Sequence, residues 1–127
     1  MFDTITPKEA FARMQEGAVY LDVRTPEEFS RGHAKGAVNV PLKISSSNGF
    51  AVNPNFLADA KMKIAVSKSL VVGCQAGGRS RAACEVLADN GYANLATIDG
   101  GFCGRRDPAT GAIVQCGWEA EGLPCEK

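Results

Sequence analysis

Three short apolar runs constrain the fold more than any other feature of the chain: Val19 to Val23 (VYLDV), Leu70 to Gly73 (LVVG) and Leu95 to Ile98 (LATI). Each has the length of a strand and is too short for a buried helix. An apolar strand must be covered on both faces, and helices do that covering when the crossover connections are long. The intervening stretches have helical grammar. Thr6-Pro7 followed by KEAFARMQEG offers an N-cap oxygen at Thr6, proline at the first helical position, Glu9 near the positive end of the dipole and Gly17 as a stop. TPEEFSRG repeats the pattern with Thr25, Pro26 and Gly32. NFLADAKMKIA, from Asn55 to about Ala65, puts Phe56, Ala60 and Ile64 on one side, and Ser80 to Asn90 is a helix ended by Asn90-Gly91. Val38 to Pro41 is a brief extended piece, and the Ser, Asn and Gly content of Lys43 to Asn53 predicts a loop. Strands alternating with helices predict an α/β fold with a parallel sheet covered on both faces.

The chain has 127 residues, 45% of them hydrophobic, which suits one core and one domain. Fourteen basic and fourteen acidic residues balance, so no global field favours nucleic acid or a membrane surface, and any anion binding must be local. MFDTITPKEAFARM carries charges early and lacks the apolar core of a signal peptide, and nowhere do eighteen apolar residues run together. The expected setting is cytoplasmic, with an organelle open if the start is processed. Five cysteines, at 74, 84, 103, 116 and 125, form no CxxC pair, and a single histidine accompanies them, which argues against a zinc cluster. No metal is expected.

Ligand sites in parallel α/β sheets lie at the carboxyl ends of the strands. Asp22-Val23-Arg24, Cys74 and Asp99-Gly100-Gly101 all fall at that edge. Cys74 opens the stretch CQAGGRS, between an apolar strand and a helix. A sulfur nucleophile must be a thiolate, whereas a free cysteine is mostly protonated at pH 7. Gly77 and Gly78 allow the peptide N–H groups of residues 75 to 80 to turn inward, and the helix beginning at Ser80 aims its positive end at the same point. Arg79 adds a cation. This predicts Cys74 as a nucleophile, with Gln75, Ala76, Gly77, Gly78, Arg79 and Ser80 around the bound anion; an ordinary strand-to-helix turn that holds a phosphate passively is the alternative.

LDVRTPEEFSRGHAKGAVNVP (Leu21 to Pro41), VVGCQAGGRS with RAACEVLADNGY after it, and IDGG (Ile98 to Gly101) with Trp118 and GLP (Gly122 to Pro124) resemble, in that order, the motifs of the rhodanese superfamily, specifically its single-domain sulfurtransferases. The resemblance implies a three-layer α/β/α sandwich around a five-stranded, mainly parallel sheet. It implies that Cys74 takes the outer sulfur of a small anionic donor such as thiosulfate and passes it, as a persulfide, to cyanide or to a thiol acceptor, either a small thiol or a thioredoxin-like protein. No cofactor is implied. Four residues separate Cys74 from Arg79, giving the six-residue loop of the sulfurtransferases; related dual-specificity phosphatases and arsenate reductases have one residue more. A non-catalytic binding or signalling module is the other alternative within the superfamily.

The resemblance also bears on single residues. Arg24 either contacts the donor's sulfonate or pairs with a neighbouring carboxylate, and Arg79 either points at the anion or turns away to bind Asp22 or another acid. Asp22 is then a structural partner first and a catalytic group second, His33 a structural residue whose ring bonds the backbone of a turn, and Ala34 a smaller residue than the family pattern carries. Cys84 is expected as buried packing.

The chain departs from the family after Gly100-Gly101, where FCGRRDPATGAIVQCG intervenes before Trp118. This insertion, at about 102–117, carries the turn pairs Asp107-Pro108 and Thr110-Gly111 before Ala112 to Val114, and predicts a hairpin-like flap at the edge where Cys74 lies. Arg105 and Arg106 would add charge there, or be solvated. Cys103 and Cys116 bracket the flap, either as free thiols, as a disulfide staple, or with Cys103 as a thiol that resolves the Cys74 persulfide.

Overall fold

A computed structural model describes residues 2–46 and 49–127. Five parallel strands form the sheet: β1 (Asp3–Ile5), β2 (Val19–Asp22), β4 (Val38–Asn39), β7 (Leu70–Gly73) and β8 (Leu95–Ile98), in the order β1-β8-β7-β2-β4. Four helices connect them: α1 (Pro7–Gln15), α2 (Pro26–Arg31), α3 (Phe56–Lys63) and α4 (Gly78–Ala88). Both α1 and α2 open with a full capping box. Thr6 and Thr25 accept from the backbone N–H of Glu9 and Glu28, whose carboxylates reach back to the threonine N–H groups.

Side chains alternate across the sheet and so sort into two cores. Leu21, Leu70, Val72, Cys74 and Leu95 join Phe56 and Ala60 of α3 and Ala83, Cys84 and Leu87 of α4. Tyr20, Val71, Ala96 and Ile98 point the other way, to Ala10 of α1, Phe102 and Trp118. The helices thus lie on both faces of a parallel sheet, the expected three-layer arrangement. Phe56, Ala60 and Ile64 are all buried, as their spacing on one side of the helix predicts.

Three local features depart from the sequence expectation. The stretch from Lys43 to Asn53 holds an antiparallel ribbon of β5 (Lys43–Ser46) and β6 (Gly49–Val52), with Lys43 opposite Val52; residues 47 and 48 lie outside the described residues. A serine-rich composition hid it, because a two-stranded ribbon needs backbone pairing and little apolar burial. An edge strand, β1, precedes the first helix; at three residues it is too short for periodicity to register. The last helix begins two residues before Ser80, at Gly78, so Gly78 opens its first turn and Gly77 caps it.

After the last sheet strand the chain forms a small flap, with β9 (Arg105–Arg106) antiparallel to β10 (Ile113–Gln115). Beyond it Trp118 is fully buried, its indole N–H donating to the Pro124 carbonyl at 2.8 Å. The chain end returns as β11 (Cys125–Glu126) against β3 (His33–Ala34).

Candidate functional site around Cys74

The strand order places the carboxyl ends of β7 and β2 side by side, with Asp22 opposite Gly73. Connections leave these two strands in opposite directions, β2 toward β4 and β7 toward β8, so their shared end is where a doubly wound sheet opens a crevice. Cys74 follows β7 directly and is 2% exposed.

The sulfur has two polar contacts from the loop. The Gly77 N–H donates to Sγ at 3.1 Å, and the thiol lies 3.6 Å from Ser80 Oγ. Gly77 caps α4 with φ +131°, a conformation closed to most side chains, and that turn aims its N–H at the sulfur. The opening turn of α4 then presents its dipole to the same atom. Of the inward-facing N–H groups expected from residues 75 to 80, Gly77 is the one this geometry brings onto Sγ. Gln75, Ala76 and Gly78 form the exposed rim, and Ser80 is fully buried.

A second turn supports the loop from behind. Gly101 has φ +50°, and a side-chain carbon there would run into the Cys74 carbonyl. Closer packing follows: the Phe102 N–H donates to the Cys74 carbonyl at 2.8 Å and the Cys103 N–H to the Gln75 carbonyl at 2.9 Å. The backbone of the residues that lead into the flap is thereby bound to the cysteine loop. Cys103 is exposed, and partial burial raises its thiol above the ordinary value.

Both arginines are committed to carboxylates. Arg79 grips Glu28 of α2 with two bonds, 2.6 and 2.9 Å, and so turns to an acid other than Asp22. Those bonds are the main reason that the Glu28 carboxyl is held down at about 2. Arg24, 4% exposed, bonds Asp22 through Nε and Nη2 at 3.0 and 2.8 Å, donates to the Gly32 carbonyl at 2.8 Å, and lies over the Phe102 ring at 4.6 Å. Asp22 is thus the buried ion-pair partner of Arg24. His33 stacks on Phe29 with ring centroids 3.6 Å apart and places Nδ1 2.8 Å from the Phe29 carbonyl.

On the flap, Arg105 pairs with Asp99 at 2.7 Å and Arg106 donates to the Gly111 carbonyl at 2.8 Å, so Arg105 contributes little unpaired charge. The five cysteines are all free; Cys103, Cys116 and Cys125 are exposed and Cys84 is buried. Among the described residues no three His, Cys, Asp or Glu side chains gather as metal ligands, and no helix is long and apolar enough to cross a membrane.

Sequence reasoning missed two residues of the site. Glu28 drew no reading of its own, since its partner lies 51 residues away. Thr97 was a polar residue in an apolar strand, and burial at 3% exposure requires it to have a partner.

Residues 6–104 match the family model of the rhodanese-like domain. The chain belongs to that family. Thiosulfate sulfurtransferase 16, chloroplastic, from Arabidopsis thaliana is 41% identical over 108 residues, covering 85% of this chain and 79% of that protein. The Arabidopsis thaliana Protein HIGH ARSENIC CONTENT 1, mitochondrial, is 36% identical over 79% of this rhodanese-like chain and 59% of its own length. The crystal structure of Rv0390 from M. tuberculosis superposes with a TM-score of 0.82 at 29% identity, covering 99% of this chain and 98% of that one. The family match ends where the flap begins, so the cysteine loop lies within it and the paired strands of the flap lie outside it.

Proposed function

We propose that this rhodanese-like domain is a sulfurtransferase that carries a sulfane sulfur on Cys74. The observation that carries the reading is the Gly77 N–H directed at Cys74 Sγ at 3.1 Å, at the head of α4. A donor at that point stabilises negative charge on the sulfur before and after transfer. The relatives named thiosulfate sulfurtransferase support the same reaction class.

In the first step the Cys74 thiolate attacks the outer sulfur of thiosulfate. A new S–S bond forms, the donor's own S–S bond breaks, and sulfite leaves with its electron pair. In the second step cyanide or an acceptor thiolate, from a small thiol or a thioredoxin-like protein, attacks the outer sulfur of the persulfide. The Cys74 S–S bond breaks and the thiolate returns. Gln75, Ala76 and Gly78 frame the approach, Gly77 and Ser80 hold the sulfur, and Arg79 holds the loop through Glu28. Arg24 serves the same region by neutralising buried Asp22, with any donor contact added to that role.

Cys103 is assigned as a resolving thiol. Its thiolate attacks the inner sulfur of the persulfide, a Cys74–Cys103 disulfide forms, and the outer sulfur leaves as sulfide; two acceptor thiols, or one dithiol, then reduce that disulfide and leave as a disulfide themselves. The backbone bond from Cys103 to Gln75 supports this by tying the two segments together. The domain is read as a single unit with the flap as its insertion. The cytoplasmic setting remains part of the proposal, with the chloroplastic and mitochondrial relatives marking the competing compartments.

The deciding experiment assays the full chain and Cys74→Ser with thiosulfate and cyanide, and with a persulfide donor. Thiocyanate formation by the parent and its loss in the variant is the expected result. Activity that survives the substitution overturns the mechanism, and inactivity of the parent with both donors overturns the reading in favour of a binding module.

A further inference from the structure

Cys74 and Ser80 belong to one loop, but the hydroxyl that orders them comes from another strand. In β8 the side chains of Ala96 and Ile98 enter the core beneath α1, so the alternation turns Thr97 toward α4. There Thr97 Oγ1 lies 2.8 Å from Ser80 Oγ, with Ser80 fully buried and Thr97 3% exposed.

Ser80 has one proton to give and two lone pairs to receive with. Its oxygen faces three partners: the Gly77 carbonyl at 3.0 Å, the Cys74 thiol at 3.6 Å and Thr97. With its proton on the Gly77 carbonyl and the thiol donating to it, the remaining lone pair accepts from Thr97. Ser80 is then saturated and fixed in rotation. When the thiol proton leaves, one acceptor site on Ser80 empties and its own proton can turn from the Gly77 carbonyl to the sulfur. That carbonyl is not stranded, because the Arg81 N–H also donates to it, at 3.2 Å. Thr97 holds the serine oxygen in place through the exchange.

We propose that Thr97 is a positioning residue for the Cys74 nucleophile, acting through Ser80, which it holds ready to donate to the thiolate and to the persulfide. The role rests on the sulfur-transfer reading for its use in turnover, while its effect on the free thiol stands apart from it. The charged and titratable groups around Cys74 are the Arg79–Glu28 and Arg24–Asp22 pairs, Tyr20 on β2 and Cys84 on α4. Each arginine of these pairs holds a carboxylate, whereas the Ser80 hydroxyl lies against the sulfur and can turn its proton toward it.

The test compares Thr97→Val, which removes the hydroxyl at nearly constant shape, with Thr97→Ser, which keeps it, and with Ser80→Ala and the Ser80→Ala/Thr97→Val pair. Two quantities are read on the full chain: the rate of Cys74 alkylation by iodoacetamide at pH 7, followed on the Cys74 peptide by mass spectrometry, and kcat and KM for thiosulfate. Thr97→Val is expected to slow alkylation and kcat by roughly tenfold with KM unchanged. Thr97→Ser restores both, and Thr97→Val adds nothing in the Ser80→Ala background. Should Thr97→Val fold poorly, Thr97→Ala against Thr97→Ser makes the same comparison. Equal alkylation in the hydroxyl-bearing and hydroxyl-free variants overturns the proposal, as does full additivity with Ser80→Ala. A parent chain that transfers no sulfur, yet still shows the alkylation pattern, would refute the functional reading and leave Thr97 in place.

Discussion

Arg79 holds both carboxylate oxygens of Glu28, at 2.6 and 2.9 Å, and so ties the cysteine loop to α2 with the side chain that sequence order offered to the substrate. Glu28 meanwhile accepts from the Thr25 N–H and lies 3.1 Å from Thr25 Oγ1, so one carboxylate closes the capping box and anchors the loop. The loop therefore depends on a helix whose Glu28 precedes Arg79 by 51 residues.

Glu28→Gln is expected to cost about 1 kcal/mol at pH 7, since the pair is partly exposed and screened, and to lower kcat by loosening the loop. The acid limb carries the sharper signature. The Glu28 carboxyl is depressed from an ordinary 4.5 to about 2, so its contribution is complete above about 4.5 and is lost as pH falls toward about 2. Urea denaturation across that window should show a fall in stability in the parent that is smaller in Glu28→Gln. Parallel curves would show that the ion pair contributes nothing.

Arg24→Met should be the most destabilising change at the site. It strands the carboxylate of Asp22, which is 1% exposed, at a cost of about 3–5 kcal/mol. Asp22→Asn combined with Arg24→Met should recover much of that loss, because no buried charge is left unpaired. The double variant also isolates donor binding: a raised KM for thiosulfate in a folded Asp22→Asn/Arg24→Met protein would add a substrate contact to the structural role of Arg24.

Loading Cys74 with sulfur from thiosulfate, without an acceptor, should release sulfide and leave a Cys74–Cys103 disulfide detectable by peptide mapping. The Cys103 thiol is raised above its ordinary value, chiefly by burial, so its thiolate is scarce at neutral pH and sulfide release should speed up as pH rises. No such disulfide, or a rate independent of pH, would remove Cys103 from the mechanism.

Thiol labelling separates the remaining cysteines. Burial pushes the Cys84 thiol up to about 12, whereas Cys103, Cys116 and Cys125 are exposed. The three exposed thiols should label in the native protein and Cys84 only on unfolding. Native labelling of Cys84 would mean that α4 opens well below the global transition.

The sequence alone determined the features that depend on near neighbours. Apolar runs of strand length, threonine–proline helix starts and a glycine turn after Cys74 specify the central strands, the four helices and the place of Cys74 at a strand end, because caps, turns and periodicity act over a few residues. The hairpin over 43–52 and the three-residue β1 escaped that reading, since backbone pairing leaves little trace in composition. Only the tertiary structure decided the partners: Glu28 for Arg79, Thr97 for Ser80, and the Gln75 carbonyl for Cys103. Those contacts run through strands that lie side by side in the fold, and the sequence left Arg79 open to Asp22 or to another acid. Asp22 lay with Arg24, two residues along, and burial of that pair left Glu28 for the loop.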